Sequence, residues 1–161
     1  MFFLLSLWQQ RIFLTKKMKI FRITSSSAAL FDALERLLPQ LSSSATTPSA
    51  EYIEKLLSNE NTHLFTAEIE GNIVGMLSLV VVDIPTGRKA WIEDVVVDEA
   101  VRGLRIGAAL VEHAKEEAKR LGVKKIYLTS NPSRKAAHAL YHKCGFEEYD
   151  TALFRINFAT K

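Results

Sequence analysis

The sequence predicts a mixed α/β fold, one sheet with helices on both faces, and two observations carry that prediction. Hydrophobic periods of two and of about 3.6 succeed one another along the chain. Their order is strand, two helices, three strands, helix, strand, helix, strand. No internal repeat breaks that order, and 161 residues suit one domain. With 48% hydrophobic and 24% charged residues, the chain can bury a core.

Residues 19–24 alternate, with Ile20 inward, and read as a first strand. Serines at 25–27 offer N-caps for a helix to Leu38, in which Leu30, Leu34, Leu37 and Leu38 recur at helical spacing. A Ser/Thr-rich loop over 41–50 follows, and Thr47-Pro48 reads as cap and first position of a second helix to Leu57. Two strands over 63–70 and 73–83 flank Gly71-Asn72, a hairpin signal, and Pro85-Thr86-Gly87 marks the next turn. Residues 90–98 form a further strand whose Val95-Val96-Val97 run predicts burial on both faces. A long helix over 103–121 carries the stripe Ile106, Leu110, Ala114, Leu121 and ends at Gly122. Strand 125–129, helix 133–144 closed by Gly145 and Phe146, and strand 151–158 complete the chain. The unit from 90 to 129 should be a parallel, right-handed crossover.

Composition narrows the function classes. A single cysteine excludes a disulfide scaffold and a Cys-rich zinc module, and a reducing, cytoplasmic setting is expected. Residues 1–17 hold Arg11, Lys16 and Lys17 and no acid, whereas 18–161 balance 18 basic against 18 acidic residues. The basic excess therefore lies in the leader, and no domain-wide surface for nucleic acid is expected. No stretch reaches the roughly 18–20 apolar residues of a membrane span, so no membrane is expected either. The apolar start lacks a basic n-region and a cleavage site, so 1–17 read as an N-terminal extension and 18–161 as the domain. His138 and His142 lie four apart on one helix, but no third ligand is evident and no metal is expected. Cys144 reads as a core residue.

The informative stretch lies between the valine strand and the long helix: Arg102-Gly103-Leu104-Arg105-Ile106-Gly107-Ala108. A helix N-terminus exposes free N–H groups and about half a positive charge, which suits an anion. Two glycines allow close approach, and two arginines add fork donors, so a pyrophosphate is a natural guest. An ordinary turn with solvated arginines has the same local chemistry. The stretch is neither a Walker A loop nor a dinucleotide fingerprint, because the residue spacing differs.

This block resembles the acetyl-CoA loop of the GNAT superfamily of N-acetyltransferases, Arg/Gln-x-x-Gly-x-Gly/Ala. A second block, Asn131-Pro132-Ser133 with Ala136, His138, Leu140, Tyr141, Gly145 and Phe146, resembles the superfamily's other motif at the expected separation. The likeness covers about 18–158 and departs at Arg105, where glycine is usual, and at His138, where asparagine is frequent. It implies a mixed, mostly antiparallel sheet of six to seven strands with four helices. It also implies acetyl-CoA as cosubstrate and direct attack by an amine. The backbone of Val95, Val96 and Val97 would lie along the pantetheine arm, and Arg102 to Ala108 would hold the diphosphate.

An amine titrating near ~10.4 must lose a proton before it attacks, and a leaving thiolate must gain one. Neighbouring residues on a strand face opposite ways, so one of Glu93 and Asp94 reaches the acceptor. Resemblance to diamine and aminosugar-phosphate acetyltransferases points to Glu93 as base; a structural or substrate-binding carboxylate is the other reading. Tyr141 stands at the superfamily's position for the acid, the other reading being a packed aromatic. Asn131 is either a contact to the cofactor amides or the turn residue before Pro132. The acceptor is expected to be a small-molecule or peptide amine. A protein acetyltransferase, or a CoA-binding regulatory module without catalysis, are the competing functions. A homodimer fits the superfamily, but no interface pattern is legible.

Overall fold

The computed structural model describes residues 18–158. Five strands form one sheet in the order β1 (Lys19–Ile23), β2 (Thr62–Ile69), β3 (Asn72–Ile84), β4 (Gly87–Val97), β5 (Lys125–Leu128). The first three junctions are antiparallel, and β4 pairs with β5 in parallel. The helices are α1 (Ala28–Leu41), α2 (Ala50–Leu57), α3 (Ile106–Arg120) and α4 (Lys135–Lys143), with a 3-10 turn at Glu99–Val101.

Helices α1 and α2 form where sequence supplies both caps and a stripe. Ser27 and Ser49 accept from Leu30 N and Tyr52 N, each at 3.2 Å, and open α1 and α2. The cap of α2 is thus Ser49 rather than Thr47, because the serine hydroxyl reaches the free amide of the first turn. Helix α1 runs past Pro39 to Leu41, three residues beyond the expected end. The proline forfeits one bond, while Leu37 and Leu38 remain buried and hold the last turn in place.

Two cores result. One lies under α3 and α4 and includes Phe65, Leu77, Leu79, Ile92, Ile106 and Leu110. The other lies under α1 and α2 and includes Leu30, Leu34, Leu37, Ile53, Met76 and Val96. Gly75 lets α3 lie close to the sheet: a Cβ there would stand 3.1 Å from Val96 O and 3.3 Å from Ile106 and Leu110.

Three further sequence expectations are corrected. The β2–β3 hairpin turns on Glu70-Gly71, both at positive φ (52° and 83°), with Asn72 already paired to Ile69. A primed two-residue turn needs left-handed backbone at both positions, and the sheet register places those positions one residue earlier. Helix α3 starts at Ile106 rather than 103, because Gly103 and Arg105 take left-handed backbone (φ 82° and 62°). No strand forms over 151–158, so the sheet has five strands among the described residues instead of six to seven. Phe154, Ile156 and Phe158 alternate as a strand should, but they are 89%, 75% and 85% exposed. Alternation supplies a face; only a neighbouring strand supplies the hydrogen bonds that fix it.

Candidate functional site: a parted sheet beside a helix N-terminus

Strand β5 ends alongside the middle of β4. Their last pair is Ile92 with Leu128, and 93–97 have no neighbour on that side among the described residues. A bulge sits at the same point. Ser78 pairs with Glu93 and Met76 with Val96, so Asp94 and Val95 oppose Leu77 alone, and Asp94 takes φ 52°. The extra residue changes which side chains face α3. Ala90 and Ile92 belong to the core under α3 before the bulge; after it Val95 and Val97 pack there, and Val96 joins the opposite core.

The backbone follows the same shift. Asp98 N donates to Val74 O on β3 at 2.8 Å. By the period of two, Val96 N–H also faces β3, whereas the peptide groups of Val95 and Val97 point into the gap. Val97 O accepts there from Arg102 Nε at 3.2 Å. Of the three valines, Val96 therefore presents only side-chain packing.

At the end of β4 stands the N-terminus of α3. Its first hydrogen bond runs from Ala109 N to Arg105 O at 3.0 Å, so Ile106, Gly107 and Ala108 have no helical carbonyl for their N–H groups. Arg105 caps the helix with no side-chain bond, and the first turn carries no acid. Leu104, Ile106 and Gly107 are buried, while Arg102 and Arg105 are exposed. Gly107 has a packing reason that its spacing does not reveal. A Cβ there would stand 2.8 Å from Leu140 Cδ1 and 3.6 Å from Val97 Cγ2. The starts of α3, the middle of α4 and the end of β4 converge at this glycine.

Tyr141 lies on α4, buried and edge-on to Phe146 at 6.1 Å. Burial lifts its phenol above the usual value, and Arg134 opposes this more weakly. Glu93 reaches solvent, yet enough protein surrounds its carboxyl that burial is the larger cause of its raised pKa, with the Asp94 charge second. Asn131 serves as a turn residue: its Oδ1 accepts from Ser133 N at 2.9 Å, and its carbonyl accepts from Arg134 N. That turn is why α4 begins at Lys135. The rings of His138 and His142 lie on the carbonyls of Asn131 (3.1 Å) and Phe146 (3.2 Å). Cys144 is buried, which raises its thiol pKa.

One group of residues is invisible in the sequence motifs. Arg36 on α1 donates to Asp98 Oδ2 at 2.8 Å and to Ile73 O, and Gln40 Oε1 accepts from Glu99 N at 2.8 Å. Asp98 also caps the 3-10 turn through Ala100 N at 3.1 Å. Together these bonds fix the β4–α3 loop to α1. Contacts across 62 residues leave no periodic signal. The Ala100 amide, then the Arg36 guanidinium, hold the Asp98 carboxyl below its ordinary value. Its stabilisation is therefore complete above the unfolded carboxyl pKa near ~4 and is lost as pH falls through the lower native value. Asp98→Ala should cost about 1–2 kcal/mol in a denaturant titration at pH 7, mostly through the cap, since solvent screens the half-exposed Arg36.

A model of the acetyltransferase (GNAT) family matches residues 29–146. The chain belongs to the GNAT family. Among curated proteins, this GNAT chain is 33% identical over 95 residues to an aminoalkylphosphonate N-acetyltransferase of Salmonella typhimurium, covering 57% of this chain and 61% of that one. It is 42% identical over 62 residues to a probable glucosamine 6-phosphate N-acetyltransferase of Oryza sativa, covering 38% and 36%. The chain thus spans less than two thirds of either relative's length. Its fold matches an aminoglycoside acetyltransferase from an uncultured soil metagenomic sample at TM-score 0.81 and 23% identity, over 89% of this chain and 98% of that one.

Proposed function

We propose that this chain transfers the acetyl group of acetyl-CoA to the amine of a small molecule. One observation carries the reading: β4 leaves β5 after Ile92 at the same end as the uncapped N-terminus of α3. An extended polar arm and an anionic group each find backbone there without a strand or helix partner. The backbone groups of Val95 and Val97 suit the arm. The amides of Ile106, Gly107 and Ala108, with Gly103, Arg102 and Arg105 around them, suit the diphosphate. Bound acetyl-CoA supplies a thioester whose carbonyl carbon takes the amine and whose sulfur leaves.

Glu93 is the base in this reading. Its face of β4 is opposite α3, and its raised pKa makes it a better proton acceptor than an ordinary carboxylate. Tyr141 is the acid. Its buried phenol keeps its proton through the neutral range and can give it to the leaving sulfur. A main-chain N–H at Val95 or Val97 polarises the carbonyl. A peptide acceptor uses the same groups. Asn131 is a positioning residue, setting the start of α4 and so the height of Tyr141.

The test is a panel of amines assayed for thiol release from acetyl-CoA. Acceptor-dependent release supports the reading; CoA binding with no release from any amine would favour a regulatory module. A base must be deprotonated to work, so kcat/KM should rise with pH through the elevated Glu93 value. In Glu93→Gln that acidic limb should disappear and the rate fall by about a hundredfold. An unaltered pH–rate profile in the variant would remove the base role.

A further inference from the structure

Beside Glu93 the sheet carries a graded row of side chains that the proposed chemistry does not use. Ala90 and Ile92 are buried under α3, so Lys89, Trp91 and Glu93 share the opposite face of β4, all before the bulge. On β5, Ile126 and Leu128 pack toward the α3 core, so Lys125 and Tyr127 share the face of Lys89 and Trp91. The register sets Lys89 beside Lys125 and Trp91 beside Tyr127. Along the strand, the order is two lysines, two aromatic rings, one carboxylate, with about 6.6 Å between rows.

Each row has a definite geometry. Trp91 and Tyr127 stack at 5.3 Å with 30° between ring planes, and Tyr149 meets Tyr127 edge-on at 6.2 Å. Lys89 Nζ lies 5.8 Å from the Tyr127 centroid. Among the described residues, no ion pair engages Lys89 or Lys125. Like charges directly opposed across a ladder repel, and among the described residues no carboxylate offsets them here. An anion lying between them would. Glu93, at the other end of the row, attracts a cation.

We propose that the acceptor is an amine joined through a ring to a phosphate-like anion, lying along β4 with its amine at Glu93, its ring on Trp91 and its anion between Lys89 and Lys125. This rests on the acetyl-transfer reading above and names its substrate class. Lys89 to Glu93 spans about 13 Å of strand, and both side chains bend toward the ring row. A single six-membered ring with one charged group on each side fills that interval. An amine without an anion leaves the lysine pair unbalanced. An amino-phosphate without a ring leaves the aromatic row bare.

Three probes decide it: a 2-amino-2-deoxyhexose 6-phosphate, the same sugar without phosphate, and 2-aminoethyl phosphate. In the parent protein the phosphosugar should have a KM at least tenfold below either of the others. In the double variant Lys89→Gln/Lys125→Gln the phosphate advantage should vanish, with the Kd for acetyl-CoA unchanged. Trp91→Ala should raise KM for the phosphosugar and leave kcat nearly constant. Removing the opposed charges should not lower Tm, so lost affinity will not reflect lost fold. Equal KM values for the three probes, or an advantage that survives the double variant, would overturn the proposal. Calorimetric titration of the phosphosugar into the CoA-bound protein needs no turnover. Binding that the lysine variant loses supports the row even if no amine is acetylated; no binding sinks the row, whatever other amines do.

Discussion

Tyr141→Phe is expected to lower turnover by about a hundredfold or more while the Kd for acetyl-CoA stays within about twofold of the parent value. The ring is buried against Phe146, and phenylalanine preserves that packing. Stability should therefore change by less than about 1 kcal/mol, since at most one hydroxyl interaction is lost. The effect isolates one proton. Thiols titrate near ~8.5, so the departing thiolate takes up a proton at neutral pH, and an acid beside the sulfur supplies it. Burial keeps the phenol protonated far above neutrality, which preserves the donor. Steady-state kinetics with a saturating acceptor, beside calorimetry for acetyl-CoA, separate the two quantities. Parental turnover in the variant would leave Tyr141 as a packing residue.

Gly107→Glu should be the second large effect, a loss of CoA affinity of tenfold or more, at least about 1.4 kcal/mol. The substitution places a carboxylate in a first turn that holds no acid, where it competes with a diphosphate for the same helix-end charge. It also adds a Cβ 2.8 Å from Leu140, so stability should fall by about 1–3 kcal/mol. Gly107→Ala adds the same atom without the charge. The Leu140 methyl is the end of a flexible side chain, so the alanine variant should stay folded and keep most of its CoA affinity. If both variants bind CoA like the parent, the anion does not sit at α3. If both lose affinity equally, the packing of α4 on α3 controls the site, and charge is secondary.

The candidate site was legible in the sequence where its backbone is set locally. The Arg102 to Gly107 block and the Asn131 to Phe146 block are contiguous, so their glycines, prolines and stripes announce a turn and two helix starts. The turn at Asn131, one of its two readings, was legible because its partner is two residues away. Arg36 and Gln40 could not be read, because their partners, Asp98 and Glu99, lie far along the chain and meet them only after α1 packs on the sheet. The lysine and aromatic rows were equally hidden. Lys89 and Trp91 become neighbours of Lys125 and Tyr127 only through the parallel register of β4 and β5.

Sequence alone determined the order of elements from β1 to α4 and the leucine stripe of α1, since each depends on residues within a few positions of one another. Tertiary structure decided three things. It placed the bulge at Asp94, which sends Val96 to one core and Val95 and Val97 to the other. It ended β5 against Ile92, which leaves 93–97 without a strand on that side among the described residues. It left 151–158 without a strand partner among the described residues, despite the alternation of Phe154, Ile156 and Phe158. In each case the deciding quantity is a hydrogen bond, made or missing, between segments remote in sequence, and no local pattern encodes which partner will be there.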